Sequence, residues 1–156
     1  MTLQIRRVVT GHDRNGKAVV RIDEIATNVL SNRPGAQSTV VWATDGWPVD
    51  LNREDDISAG VKTTTVPDGT VFRIVQFDPG VAPRNHRTES IDYAVVMAGA
   101  IDMELDDGVV VTLRAGDALV QGGTVHNWFN RGTEPCVIAF VLVAARLPDS
   151  VKGAFG

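Results

Sequence analysis

The chain has 156 residues, 44% hydrophobic and 22% charged, with a formal net charge of −4. That length suits one domain with a sizeable core, and the absence of a basic stripe excludes the usual electrostatic footprint of nucleic-acid binding. The longest apolar run, Cys136 to Ala145, is ten residues, about half of the roughly 20 that a membrane-spanning helix needs.

The N-terminus, Met1-Thr-Leu-Gln-Ile-Arg-Arg-Val-Val, lacks the apolar stretch and small-residue cleavage site of a secretory signal, so a cytoplasmic chain is expected. A single cysteine excludes an intrachain disulfide. Cys136 heads the apolar run and reads as a buried, inert thiol.

In chain order, short runs rich in Val, Ile, Thr and Phe alternate with Gly, Pro and Asp clusters. Ile5 to Thr10 and Ala18 to Ile25 flank Asn15-Gly16, a hairpin signal. A short helix is expected near Ile22 to Leu30, and a strand over Thr39 to Ala43. Residues 45–62, polar and carrying Trp47, read as a solvated loop, or else as a lid or subunit-contact arm. Further strands are expected over Thr70 to Phe77, Ile91 to Met97, Ile101 to Leu105, Val109 to Leu113, Ala118 to Gln121 and Val137 to Val143. Asp106-Asp-Gly108 and Arg114-Ala-Gly116-Asp117 supply turns between them. The tail after Arg146 is a second candidate helix. Many short strands at near-regular spacing predict an all-β sandwich or barrel. Residues 1–60 read as N-terminal strands and a loop packing on the barrel or on a partner, 61–147 as the barrel, and 148–156 as a tail.

The run Gly80-Val-Ala-Pro-Arg-Asn-His86-Arg-Thr88-Glu-Ser-Ile-Asp92, followed by Gly99, carries the chemistry. His86 and Asp92 stand an even number of residues apart, hence on one face if the segment is a strand. His126 follows beyond a Gly-Asp turn. Two imidazoles and a carboxylate converging on one pocket would form a facial metal triad.

These residues resemble the two linked motifs of the cupin superfamily. Gly80, His86, Thr88, Asp92 and Gly99 keep the spacing of G-x5-H-x-H-x3-E-x6-G, with Thr88 in place of the second His and Asp92 in place of Glu. Gly116-Asp117, Gly123, His126 and Asn130 follow G-x5-P-x-G-x2-H-x3-N, one residue short and with Gln121 in place of Pro. The resemblance covers residues 66–145. It implies an antiparallel, jelly-roll-like β-barrel with a pocket at one mouth, here with extra N-terminal strands.

Strand parity then places Thr88, Ser90, Asp92, Ala94 and Val96 inward with His86, and Trp128 and Asn130 inward with His126. The resemblance implies that the Phe72–Ile74–Gln76 face is the inward one, with Arg73 on the opposite face. Ile101, Met103 and Leu105 fill the interior, while Asp102 and Glu104 meet solvent.

The resemblance implies a small-molecule enzyme (an oxygenase, lyase, isomerase or decarboxylase) with His86, Asp92 and His126 as catalytic residues. The expected substrate is a small organic acid, keto or aromatic compound, and no nucleotide cofactor is expected. The same three residues would hold one divalent Fe, Mn, Ni or Zn ion, or work without metal by acid–base chemistry. Thr88, Gln76, Ser90 and Asn130 would orient polar groups of the substrate, and Trp128, Phe72 and Met103 would form an apolar wall. The alternative is a non-catalytic sensor or accessory protein. Tyr93, Val95 and Met97 fall on the outer face by parity, which predicts a homodimer; neither nucleic acid nor membrane is an expected partner.

Overall fold

β-branched and aromatic residues between turn formers produce eleven strands in the computed structural model, which describes residues 2–151. β1 (Arg6–His12) and β2 (Ala18–Ile25) form an antiparallel hairpin. Its turn closes on Asp13, whose Oδ1 accepts from Asn15 N and Lys17 N, with Gly16 at φ +77°. β3 (Val29–Arg33), β4 (Ala36–Thr44), β5 (Thr70–Phe77), β6 (Ser90–Ala98), β9 (Ala118–Gly122) and β11 (Cys136–Ala144) make a six-stranded sheet in the order β3-β4-β5-β11-β6-β9. β7 (Ala100–Glu104), β8 (Val110–Arg114) and β10 (Asn127–Phe129) make a three-stranded sheet in the order β10-β7-β8. Every pairing is antiparallel, as a barrel built from hairpins requires.

The two larger sheets enclose one core. Val71 and Phe77 of β5, Ala94 and Val96 of β6, and Ile138, Phe140 and Leu142 of β11 meet Ile101 and Met103 of β7, Leu113 of β8 and Trp128 of β10. Burying each large aliphatic side chain contributes about 1.5–3 kcal/mol. Alternation along β6 and β7 follows the expected parity: Ser90, Asp92, Ala94, Val96, Ile101 and Met103 are buried, and Tyr93, Val95 and Met97 exposed. Gly99, between β6 and β7, has φ +75°, and a Cβ there would collide with Pro135 O. Cys136 is fully buried, and desolvation raises its thiol pKa to about 11.

Several expectations change. The segment Ile22 to Leu30 is not helical: β2 runs to Ile25 and β3 begins at Val29. Cross-strand pairing overrides the local pattern. Arg6 and Arg7 on β1 bind Asp23 and Glu24 on β2, and Asn28 bonds Val40 O and Thr39 Oγ1 of β4 across the bend. The tail after Arg146 holds only a 3-10 turn at Asp149–Val151; the remainder of that expectation lies outside the described residues. β10 was absent from the sequence reading because three residues give no periodicity.

β5 is reversed from the expected orientation. Val71, Arg73, Val75 and Phe77 pair across to Leu142, Phe140, Ile138 and Cys136, on the core side. Phe72 and Gln76 are therefore on the outer face. Phe72 is more than a third exposed. Gln76 is buried for a different reason: it pairs across with Gln37, whose Oε1 accepts from Leu3 N. Both faces of β5 mix apolar and polar residues, so its sequence cannot choose between them. Residues 45–57 contain no strand, and Trp47 is exposed. The segment is held through Arg7, which binds both Glu24 and Asp56.

Candidate active site

His86 and His126, one from each motif, form an isolated antiparallel bridge. His86 N donates to His126 O at 3.0 Å, and His126 N donates to His86 O at 2.9 Å. The ring centroids lie 4.4 Å apart. Each ring is oriented by a backbone carbonyl two residues earlier: His86 Nδ1 to Arg84 O at 2.9 Å, and His126 Nδ1 to Thr124 O at 2.8 Å. A carbonyl only accepts, so Nδ1 carries the proton in both rings and Nε2 is the acceptor. Burial lowers the pKa of both, with the charges of Arg84 and Arg33 acting in the same direction, and His126 falls to about 4. Both imidazoles are neutral at pH 7.

The two rings and Asp92 line one cleft of about 890 Å³, within the size range of small-molecule sites. Asp92 ends a hydroxyl chain along the inward face of the first motif. Thr88 Oγ1 lies 2.8 Å from Ser90 Oγ, which donates to Asp92 Oδ1 at 2.5 Å. Burial raises the Asp92 pKa to about 6, against the lowering effect of the Ser90 bond. Thr88 and Trp128 also line the cleft. The Trp128 ring stands edge-on to His126, with centroids 5.7 Å apart.

The remaining expected site residues do other work. Ser90 is buried behind Asp92 and orients it. Met103 is buried core whose sulfur accepts from Gln121 Nε2 at 3.3 Å. Asn130 is inward in parity but is consumed by a turn: its Nδ2 donates to Phe77 O and Glu134 O, and its Oδ1 accepts from Gly132 N. Gln76 and Phe72, on the outer face of β5, are not among the lining residues.

In their place the cleft takes residues that the sequence reading did not select: Arg33, Arg73, Arg84 and Gln121. Gln121 stands opposite Asp92 across β6 and β9, a pairing that becomes visible only once the strand register is known.

The expected metal triad does not assemble. Among the described residues no group of three or more His, Cys, Asp or Glu could hold an ion. Five cationic side chains on the same walls (Arg33, Lys62, Arg73, Arg84 and Arg87) further disfavour a dication. The residues present do not fit a mononuclear Fe, Mn, Ni or Zn site.

Comparison with known proteins agrees with this fold. The family model for the cupin domain, Cupin_2, matches residues 73–143. The chain is 37% identical over 147 residues to the cupin-domain-containing oxidoreductase fogC of Aspergillus ruber, an alignment spanning 90% of this chain and 72% of that protein. The chain belongs to the cupins. This cupin is also 40% identical over 134 residues to Phomopsin biosynthesis cluster protein C' of Diaporthe leptostromiformis, covering 80% of this chain and 70% of that one. Among solved structures it is similar to KdgF from Halomonas sp., with TM-score 0.47 and 23% identity over 74% of this chain and 86% of that chain. Among the described residues, no helix is long and apolar enough to cross a membrane.

Proposed function

We propose that this cupin is a small-molecule enzyme that moves protons on a keto or enol substrate, without a metal. The observation that carries the reading is the pairing of unlike titratable groups on one cleft: a carboxyl raised to about 6 beside imidazoles that stay neutral. A base whose pKa lies near the working pH combines availability with driving force. Asp92, ionised above pH 6, takes a proton from the carbon beside the substrate carbonyl and returns it to the neighbouring position. His86 accepts the proton of the substrate hydroxyl at Nε2, as that oxygen becomes the new carbonyl, and delivers it to the former carbonyl oxygen. His126, held to about 4, is too weak a base for that step and keeps its partner in place through the paired backbone bonds. Ser90 and Thr88 fix the Asp92 carboxylate. The net reaction is an isomerisation, with no electron acceptor required.

The test is deuterium incorporation at the α-carbon of keto compounds such as phenylpyruvate and dihydroxyacetone in D2O, followed by NMR. Wild-type protein accelerates exchange, and Asp92→Asn loses about 10²–10⁴-fold. No exchange above buffer, or full exchange by the Asp92→Asn variant, would overturn the reading. A second reading, oxidoreduction, is favoured by the names of related proteins, among them fogC and srdD. It predicts consumption of dioxygen or of another electron acceptor in step with product.

A further inference from the structure

We infer that the substrate of this site is an organic oxyanion, a carboxylate or phosphate ester, held by Arg73 and Arg84 with Arg33 beside them. The inference deepens the proposed function by naming its substrate class, and it rests on the cleft being the substrate site.

The first observation is the sign of the cleft. The chain as a whole carries 19 acidic against 15 basic residues. The cleft reverses that ratio, with five Lys and Arg side chains against only Glu89 and Asp92. A wall of one sign inside a low-dielectric cleft focuses its potential on a ligand of the other sign.

The second observation is how these arginines are partnered. Arg6, Arg7, Arg21, Arg53 and Arg131 each form an ion pair with a carboxylate. Among the described residues Arg33, Arg73 and Arg84 form none. Arg73 projects from the inward face of β5 and is held by neutral groups, its Nη2 donating to Thr63 O and Thr64 O at 2.8 and 3.3 Å. Its Nε is buried with no partner. Arg33 is aimed by Ala82 O, 2.6 Å from its Nε, and by stacking over Phe77, 5.7 Å from Cζ to the ring centroid. Arg84 is positioned through its backbone: its N donates to Asn127 Oδ1, and its carbonyl accepts from His86 Nδ1.

A half-buried guanidinium without a counter-charge carries a desolvation cost. Burial and the neighbouring charge of Arg84 both disfavour the charged forms of Arg33 and Arg73. An incoming oxyanion relieves that repulsion and supplies the acceptor that Arg73 Nε lacks. Guanidinium forks match carboxylate and phosphate geometry. The third observation lies on the opposite strand. Gln121 is 3% exposed, and its Oε1 is buried without a partner. It offers an acceptor to a hydroxyl on the same ligand, beside Asp92. The oxyanion is therefore anchored on the β5 side, and the reacting carbon and hydroxyl lie toward Asp92 and His86.

The test is direct binding, independent of turnover. Benzoate, phenyl phosphate and the neutral isostere benzamide are titrated into the full chain by calorimetry, with ¹H–¹⁵N spectra reporting the His86, His126 and Gln121 signals. Benzoate or phenyl phosphate binds at least tenfold more tightly than benzamide and weakens with added salt. Arg73→Met and Arg84→Gln each lose about tenfold or more in oxyanion affinity, while Arg73→Lys retains part of it; Arg84 is exposed, so its variant tests the idea even if Arg73→Met fails to fold. Preference between benzoate and phenyl phosphate assigns the anion. Equal binding of benzamide, or unchanged oxyanion affinity in Arg84→Gln and Arg73→Lys, overturns the inference. Asp92→Asn should bind the probes yet lack exchange activity, so loss of the anion site and failure of the proton-transfer reading give different results.

Discussion

His86 and His126 exchange both backbone hydrogen bonds, at 3.0 and 2.9 Å, although 40 residues separate them. This bridge ties the segment before β6 to the segment before β10, and so joins the two sheets at the mouth of the barrel. The two histidines reach the cleft through this backbone contact, outside any longer strand, whereas Asp92 stands on β6.

Asp92 and the imidazoles give opposite pH signatures. The Asp92 carboxyl has a folded pKa of about 6 against a reference of 3.8. The folded state therefore binds its proton more tightly, and this favourable term is present below pH 3.8 and lost as pH rises through 6. His126 is lowered from 6.5 to about 4, so its contribution is present above 6.5 and lost as pH falls toward 4. Each shift corresponds to about 3 kcal/mol. Asp92→Asn should raise urea stability at pH 8 by about 1–3 kcal/mol relative to pH 4. Ser90→Ala removes the bond that lowers the Asp92 pKa and should move its carboxyl ¹³C titration above 6.

Metal content follows from the donor count. Because no group of three or more His, Cys, Asp or Glu among the described residues could hold an ion, protein purified without a histidine tag should hold far less than one equivalent of Fe, Mn, Ni or Zn by elemental analysis. Prolonged treatment with EDTA should leave exchange activity unchanged. One equivalent of metal, lost in His126→Ala, would contradict this expectation.

Asn130 separates a structural role from a binding one. Its amide satisfies Phe77 O, Glu134 O and Gly132 N, and removing it leaves buried groups unpaired. Asn130→Ala should cost about 1–3 kcal/mol in chemical denaturation while leaving ligand affinity intact. Gln76→Leu, on the outer face of β5, should likewise leave affinity intact.

The outer face of β6 and β9 carries Tyr93, Val95, Met97 and Val120, all exposed. Tyr93 faces Val120 across the strands, so the patch is contiguous, and such a patch marks a contact surface. A homodimer through this face is the expected state in light scattering. Val95→Lys with Val120→Glu should shift the protein to monomer without altering the cleft.

The sequence by itself determined most of the strands, β3 and β10 excepted, the hairpin at Asn15-Gly16, the cupin motifs, and the inward set Ser90, Asp92, Ala94 and Val96 of β6, because alternation over a half-buried strand has one solution. Gly99 was legible for a comparable reason: its backbone has φ +75° and no room for a Cβ. Tertiary structure alone decided what surrounds those residues. β5 carries apolar residues on both faces, so its pattern fits either orientation, and only its pairing with β11 turns Arg73 inward and Gln76 outward. Helix was expected where β2 and β3 form, because the ion pairs that hold the β1–β2 hairpin are cross-strand. Arg33, Arg73, Arg84 and Gln121 come from four separate segments with no shared spacing. Their common cleft, and its reversal of the charge of the whole chain, exists only once the sheets close.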